Sequence, residues 1–244
     1  MALMSDAAMV LFCDVADDAE EHDDWHTYEH MHERLSIEGF LRGTRWVRAD
    51  GSGPRYLILY EVSSVDVAGS PGYLARLNAP TPWTTATMGR LRGMVRSFCR
   101  VTTSAGYGLG RAACAMRFAI QEGREESASA WLAREMQSVA SWRGLASAIA
   151  LEPVGRPPMT REQAIRGADM ALDQLLLVTG YDVARLRLAC AHHFGTDAVE
   201  REGLVISDEG FYDLRFTATA AEVTRTPARP ALEPSVRARD GPRA

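Results

Sequence analysis

The stretch DWHTYEHMHERLSIEGFLRGTRW, residues 24–46, holds half of the chain's six histidines, His26, His30 and His32, together with Glu29, Glu33 and Arg34. Its spacing predicts a helix from Asp24 to about Leu35, with Asp23 or Asp24 placed to cap the first turn. Gly39 ends that unit, and Phe40–Arg48 follows as a strand. Upstream lie the apolar run Ala8–Val15, read as a strand, and the acidic ADDAEEHDD. Downstream, the turn-forming ADGSGP leads into a second strand, Arg55–Val62, so the two strands form a hairpin with a longer loop. A short helix at Gly72–Leu77, a loop broken by Pro80 and Pro82, a helical piece before Gly93 and a strand at Met94–Val101 complete the order β-α-β-β-α-β.

The same order recurs further along the chain. Cys114–Ile120 reads as a strand, Ser127–Val139 as a helix closed by Gly144, Leu145–Val154 and Gln174–Tyr181 as a hairpin, Val183–Ala191 as a helix and Phe211–Thr219 as the last strand. Gly39-Phe40 and Gly144-Leu145 align at an offset of 105 residues, with little identity around them. The long connection GRPPMTREQAIRGADMA inside the second hairpin is expected to form a flap. The glycine-rich VTTSAGYGLGRAA, Val101–Ala113, reads as a linker. The expected organisation is therefore a first unit over 1–104, a linker at 105–112, a second unit over 113–221 and a Pro/Arg/Ala-rich tail over 222–244 that orders only if it docks. The fold class that follows is α+β: two tandem ferredoxin-like units whose antiparallel sheets pack face to face as a pseudo-dimeric α+β barrel.

Composition narrows the function. The 244 residues are 46% hydrophobic and 24% charged with a formal net charge of -5, which offers neither nucleic acid nor an anionic membrane a basic surface. No apolar run approaches the ~20 residues of a membrane span, and the N-terminus lacks the basic start of a signal peptide, so a cytoplasmic protein is expected. The widely spaced Cys13, Cys99, Cys114 and Cys190 read as buried thiols rather than as disulfides or zinc ligands. The glycines of GYGLG follow no strand and open no helix, which argues against a phosphate loop. His192-His193 reads as a helix C-terminal pair meeting the dipole there.

Only the 24–46 segment is dense in groups that can do chemistry. At about 100° per residue, His26, Glu29, His30 and Glu33 share one helix face, while Trp25, Tyr28, His32 and Leu35 share the other. Simple amphipathicity turns the second face inward, with His32 and Tyr28, and leaves the first as a solvated, charge-paired surface. His26-Thr-Tyr-Glu29-His30 also has the H-x-x-E-H spacing of inverzincin metalloproteases, which frames a metal-dependent hydrolase as an alternative. Asp14, at the end of the first strand, could orient a histidine of the next helix. Tyr56 and Tyr60, four apart on one strand, share a sheet face and could line a cavity.

Trp25, Glu29-His30, Glu33-Arg34-Leu35, Ile37, Gly39-Phe40, Arg42 and Arg45-Trp46 resemble the signature of bacterial EthD-like proteins of the dimeric α+β barrel superfamily. The resemblance covers the first helix and second strand, and elsewhere it is one of topology. It implies a small-molecule pocket between sheet and helices in a superfamily rich in cofactor-independent isomerases, lyases, cyclases and monooxygenases. It further implies that His30 is the functional residue, with Arg34 and Arg45 as anion-binding or structural partners. His26 and His32 depart from the signature, standing where an aromatic residue and a proline are expected. Under the 105-residue offset Glu29 and His30 meet Arg134 and Glu135, so any site is single.

The reading is a cofactor-independent small-molecule enzyme, a lyase or isomerase using general acid/base chemistry on a carbonyl-containing or aromatic metabolite. His30, Glu29, His26 and His32 are its catalytic candidates, and Tyr28, Arg34, Arg45, Tyr56, Tyr60 and Asp14 its substrate-binding candidates. The alternatives are a non-catalytic binding or scaffold protein and a cofactor-free monooxygenase. No metal or organic cofactor is expected, and a homodimer is the expected assembly.

Overall fold

The computed structural model describes residues 2–51, 53–155 and 159–227. The first half runs β1 (Ala7–Val15), α1 (Ala19–Trp25), a π-helical turn (His26–His30), α2 (Met31–Leu35), β2 (Phe40–Arg48), β3 (Tyr56–Val62), α3 (Pro71–Leu77), α4 (Pro82–Met88) and β4 (Leu91–Gly106). The second half runs β5 (Ala112–Ile120), α5 (Glu125–Ala140), β6 (Leu145–Pro153), α6 (Arg161–Arg166), β7 (Gln174–Gly180), α7 (Val183–His193), α8 (Thr196–Arg201) and β8 (Leu204–Thr219). A final α9 (Ala220–Arg225) follows. Each half contributes one antiparallel four-stranded sheet, ordered β4-β1-β3-β2 and β8-β5-β7-β6. The β2–β8 and β4–β6 pairings close them into a single eight-stranded barrel.

The repeat is visible in the backbone. Gly39 and Gly144 both hold φ near +95°, at 94° and 99°, where a β-carbon is disfavoured, and at Gly39 an added one would lie 2.5 Å from Val67. The turns around them repeat bond for bond at the same offset: Ile37 N–H donates to Arg34 C=O and Phe40 N–H to Ile37 C=O, as Trp142 does to Val139 and Leu145 to Trp142.

Strand alternation sorts three cores. Residues of one parity, including Phe12, Trp46 and Leu59 from the first half and Ile149, Leu177 and Tyr212 from the second, fill the barrel interior. Residues of the other parity meet the helices outside, one cluster per half. Each helical layer thus shields its own sheet, and the barrel interior is a shared apolar core rather than a cleft between halves.

Several expectations need correction. The first helix starts at Ala19, capped by Asp18, whose carboxylate accepts the Glu21 N–H at 3.0 Å; Asp23 and Asp24 lie inside it. The acidic run is its opening, where negative charge suits the helix dipole. The segment read as a linker is mostly strand, because β4 continues to Gly106 to pair with β6 across the seam and only 107–111 connect it to β5. β8 begins at Leu204 rather than Phe211, since its first part pairs with β5 and its last with β2. The tail boundary at 221/222 cuts through α9, which carries a Thr219–Glu222 capping box and lays Val223 on the first-half core. Residues 228–244 of the tail lie outside the described residues. α6 and α8 were not anticipated by the periodicity.

Candidate functional site

The first helix changes pitch at its centre. Met31 N–H donates to His26 C=O, an i→i−5 bond, so His26–His30 form one wide turn between α1 and α2. In a uniform α-helix three steps of four residues rotate by about 120°, which would carry a 22–26–30–34 series off any one face. The wide turn absorbs much of that drift. His22, His26, His30 and Arg34 are accordingly all buried toward β1 and β3.

This overturns part of the expected orientation, while Trp25 and Leu35 are buried as expected. His26 and His30, placed on the solvated face by a constant 100°, are only 1% and 6% exposed. Tyr28 and His32, placed inward, face the outside, where His32 Nε2 lies 2.9 Å from the Thr226 carbonyl. They line an outer groove of about 550 Å³ with Phe216, Val223 and Pro227. The proline-to-histidine change at His32 therefore adds no imidazole to the interior.

The buried rings form a column. Tyr56 packs on His22 at 4.1 Å between centroids, His22 and His26 are 5.9 Å apart, and His26 and His30 are 5.7 Å apart. Trp25 covers His30 at 4.3 Å, and the Tyr60 hydroxyl meets His26 Nε2 at 3.1 Å. Nδ1 of His26 and of His30 is buried with no hydrogen-bond partner among the described residues. Burial, then the nearby Arg34 charge and the other imidazoles, holds His30 well below the ordinary histidine range, and burial with Arg45 does the same for His26. Both rings are neutral near pH 7. Burial raises the Tyr60 phenol above its ordinary value, so it keeps its proton.

The opposite wall comes from the second half. The described part of the β6–β7 connection, residues 159–173, forms the expected flap and brings α6 over the first-half helices, with the Arg161 N–H on Asn78 Oδ1 at 3.1 Å. From it Glu162, 1% exposed, meets Arg34 Nη2 at 2.5 Å. Asp169 accepts from Arg166, Arg96 and Gln163, each within 3.0 Å. The small space beside these groups, with walls of Met9, Leu11, Trp25, Met88 and Met94, has a volume of about 30 Å³. That is room for about two waters. Three guanidiniums against two carboxylates leave the surroundings one charge positive.

Of the sequence candidates, His26, His30, Arg34 and Tyr60 come together here. The others do not. Glu29 turns to α4, its Oε1 accepting from the hydroxyls of Thr81 at 2.6 Å and Thr84 at 2.9 Å, so it neither orients His30 nor joins a metal set. No group of three or more His, Cys, Asp or Glu residues with metal-ligand geometry occurs among the described residues, so the H-x-x-E-H spacing finds no third ligand there. Arg45 staples the helix to β2 through the Asp23 carbonyl and the Thr27 hydroxyl, both at 3.0 Å. Asp14 accepts the Arg55 N–H at 2.8 Å, and Tyr56 supports His22 from outside the cavity. His22, Arg96, Glu162, Arg166 and Asp169 were missed. His22 was within reach, being one more step of four in the series 26, 30, 34, whereas the flap residues carry no local signal. The four cysteines are free and buried, and burial raises the Cys13 thiol to about 12. No described helix is long and apolar enough to cross a membrane.

No family model matches the chain, and no curated protein matches it in sequence. Solved structures do match. An anthrone oxidase-like protein superposes with a TM-score of 0.62 at 13% identity, covering 91% of this chain and 97% of its own. A candidate monooxygenase from Fusobacterium nucleatum subsp. nucleatum gives 0.54 at 6% identity, with 89% and 96% covered. One from Lactobacillus acidophilus gives 0.52 at 9%, with 88% and 96% covered. At such identities the likeness is one of fold. Two β-α-β-β-α-β halves closed into one antiparallel barrel, matched nearly end to end by these structures, make this chain a member of the dimeric α+β barrel fold, with which the EthD-like signature of residues 25–46 is compatible.

Proposed function

We propose that the protein is a small-molecule enzyme that removes a proton from a carbon acid, a carbonyl-containing or aromatic compound, with His30 as the base. The observation that carries this reading is a buried imidazole with an Nδ1 unpartnered among the described residues, beside a guanidinium whose Nη1 is likewise unpartnered. Neutral imidazole is the proton-accepting form; burial that lowers the His30 pKa also weakens it as a base, so stabilisation of the developing charge by Arg34 has to supply the driving force. As the proton leaves, negative charge gathers on the substrate oxygen, and Arg34 Nη1 is a buried donor suited to receive it. The protonated phenol of Tyr60 keeps His26 in place through their 3.1 Å contact.

A non-catalytic binder or scaffold is less well supported, because three unsatisfied or strongly depressed groups around a void detract from stability without serving a merely structural core. Proton abstraction is a first step open to isomerases, lyases and cofactor-free oxygenation alike. The anthrone oxidase-like neighbour suggests a concrete probe, since anthrone carries an acidic methylene beside its aromatic rings and a carbonyl to take up charge. Deuterium incorporation at that carbon in D2O without oxygen, followed by NMR, should be faster with the protein than with equimolar imidazole. His30→Gln should lose about a hundredfold or more of the acceleration while circular dichroism stays unchanged. Equal acceleration by His30→Gln would remove His30 from the mechanism.

A further inference from the structure

The two carboxylates that the flap delivers are held very differently. Asp169 is saturated, with Arg96, Arg166 and Gln163 on its oxygens. Glu162 is not: only Oε2 is bound, and Oε1 is buried without a partner among the described residues. Its partner is in the same condition, for Arg34 is 2% exposed and uses Nη2 while Nη1 stays unpaired. Guanidinium and carboxylate are suited to a two-pronged match, and a buried pair is stable only when its remaining donors and acceptors are met. Both open atoms belong to residues that line the cavity. At about 30 Å³ that cavity admits about two waters and no organic molecule, so a ligand must displace something. The half-held side chain is the one that can go.

We infer that the cavity is an acid-recognising subsite in which Arg34 is the receptor, and that Glu162 occupies the place of the carboxylate or enolate oxygen of an aromatic ligand and withdraws with α6 when that ligand enters. This deepens the reading of the cavity as a substrate site and rests on it. Asp169 then acts as the fixed root of the flap and Glu162 as its exchangeable tip. Entry of an anion keeps Arg34 paired throughout, which lets a buried cation persist while the site opens. The apolar walls of Trp25, Met9 and Met94 suit a flat hydrocarbon body behind the acid.

The test uses the full chain and 1-naphthoate, with 1-naphthamide as the uncharged control, titrated by calorimetry. Glu162→Gln keeps the side chain and its hydrogen bond but removes the competing charge, so naphthoate should bind about tenfold tighter than to the wild type while naphthamide is unchanged. Equal naphthoate affinity in both proteins, or an equal gain for naphthamide, would overturn the inference. Should Glu162→Gln fail to fold, amide exchange on the wild type decides. Saturating naphthoate should speed exchange over residues 161–166 if Glu162 withdraws, and unchanged or slower exchange there contradicts it. If naphthoate behaves as expected while anthrone exchange is not catalysed, the subsite stands and the chemistry falls; the converse removes the subsite alone.

Discussion

Beneath α5 in the second half, Ala128, Trp131, Leu132, Met136 and Val139 fill the space over the sheet, whereas the matching helix of the first half puts three imidazoles and a guanidinium there. The two helices keep common anchors, a buried tryptophan followed by a buried methionine. Trp131 and Met136 are five residues apart, but Trp25 and Met31 are six. The extra residue falls in the π-helical turn. With the anchors aligned, His26 stands opposite Leu132 and Arg34 opposite Val139. One topology thus yields a packed half, which contributes stability and the flap, and a half with a gap, which holds polar groups incompletely satisfied. Such groups detract from stability, and sites that carry out chemistry keep them for that purpose.

The contrast can be broken at the pair that joins the halves. Arg34→Met brings the first half closer to its Val139 counterpart but strands Glu162 as a buried, uncompensated carboxylate. It should therefore lower stability by about 3–5 kcal/mol in urea unfolding at pH 7. Arg34→Met with Glu162→Met should recover most of that loss. A single variant within about 1 kcal/mol of wild type would mean that Glu162 finds solvent easily and that the flap is not seated.

A smaller effect sharpens the contrast at His30. Replacing a buried imidazole whose Nδ1 is unpaired with an apolar side chain, as in His30→Leu, should be neutral or stabilising by about 1 kcal/mol at pH 7. The pH dependence has a definite sign. The folded protein holds His30 below its unfolded value, so the unfolded chain binds the proton first as pH falls, and stability declines below about pH 6.5. His30→Leu removes that contribution, so its stability should fall less steeply than the wild type's between pH 7 and 5. Parallel slopes would show that His30 titrates normally in the fold.

Most of the fold is legible in the sequence. Alternation and turn residues place the strands, and the two glycines with left-handed φ fix the repeat, because only a local steric requirement is involved. β4 and β8 are longer than periodicity suggests: the end of β4 is held by β6 of the other half and the start of β8 by β5 of its own, pairings distant in sequence that leave no local pattern. The site is legible only in part. His30 and Arg34 come from the EthD-like resemblance and Tyr60 from its strand parity, and Trp25 and Leu35 are buried as expected, but the wide turn brings His26 and His30 inward with them and leaves Tyr28 and His32 on the outer groove. The sequence does hold a trace of that turn, in the six-residue spacing of Trp25 and Met31 against five in the second half. Glu162 leaves no trace, being 128 residues from Arg34 and introduced by tertiary packing alone.

The central claim, a neutral imidazole kept buried beside a small gap by the fold, is tested most directly by 15N NMR of the histidine rings in the full-length protein across pH. The account predicts that His30 keeps the shifts of a neutral ring through pH 6.5 and takes up its proton only well below that. A His30 ring that titrates near 6.5 alongside free imidazole would contradict it.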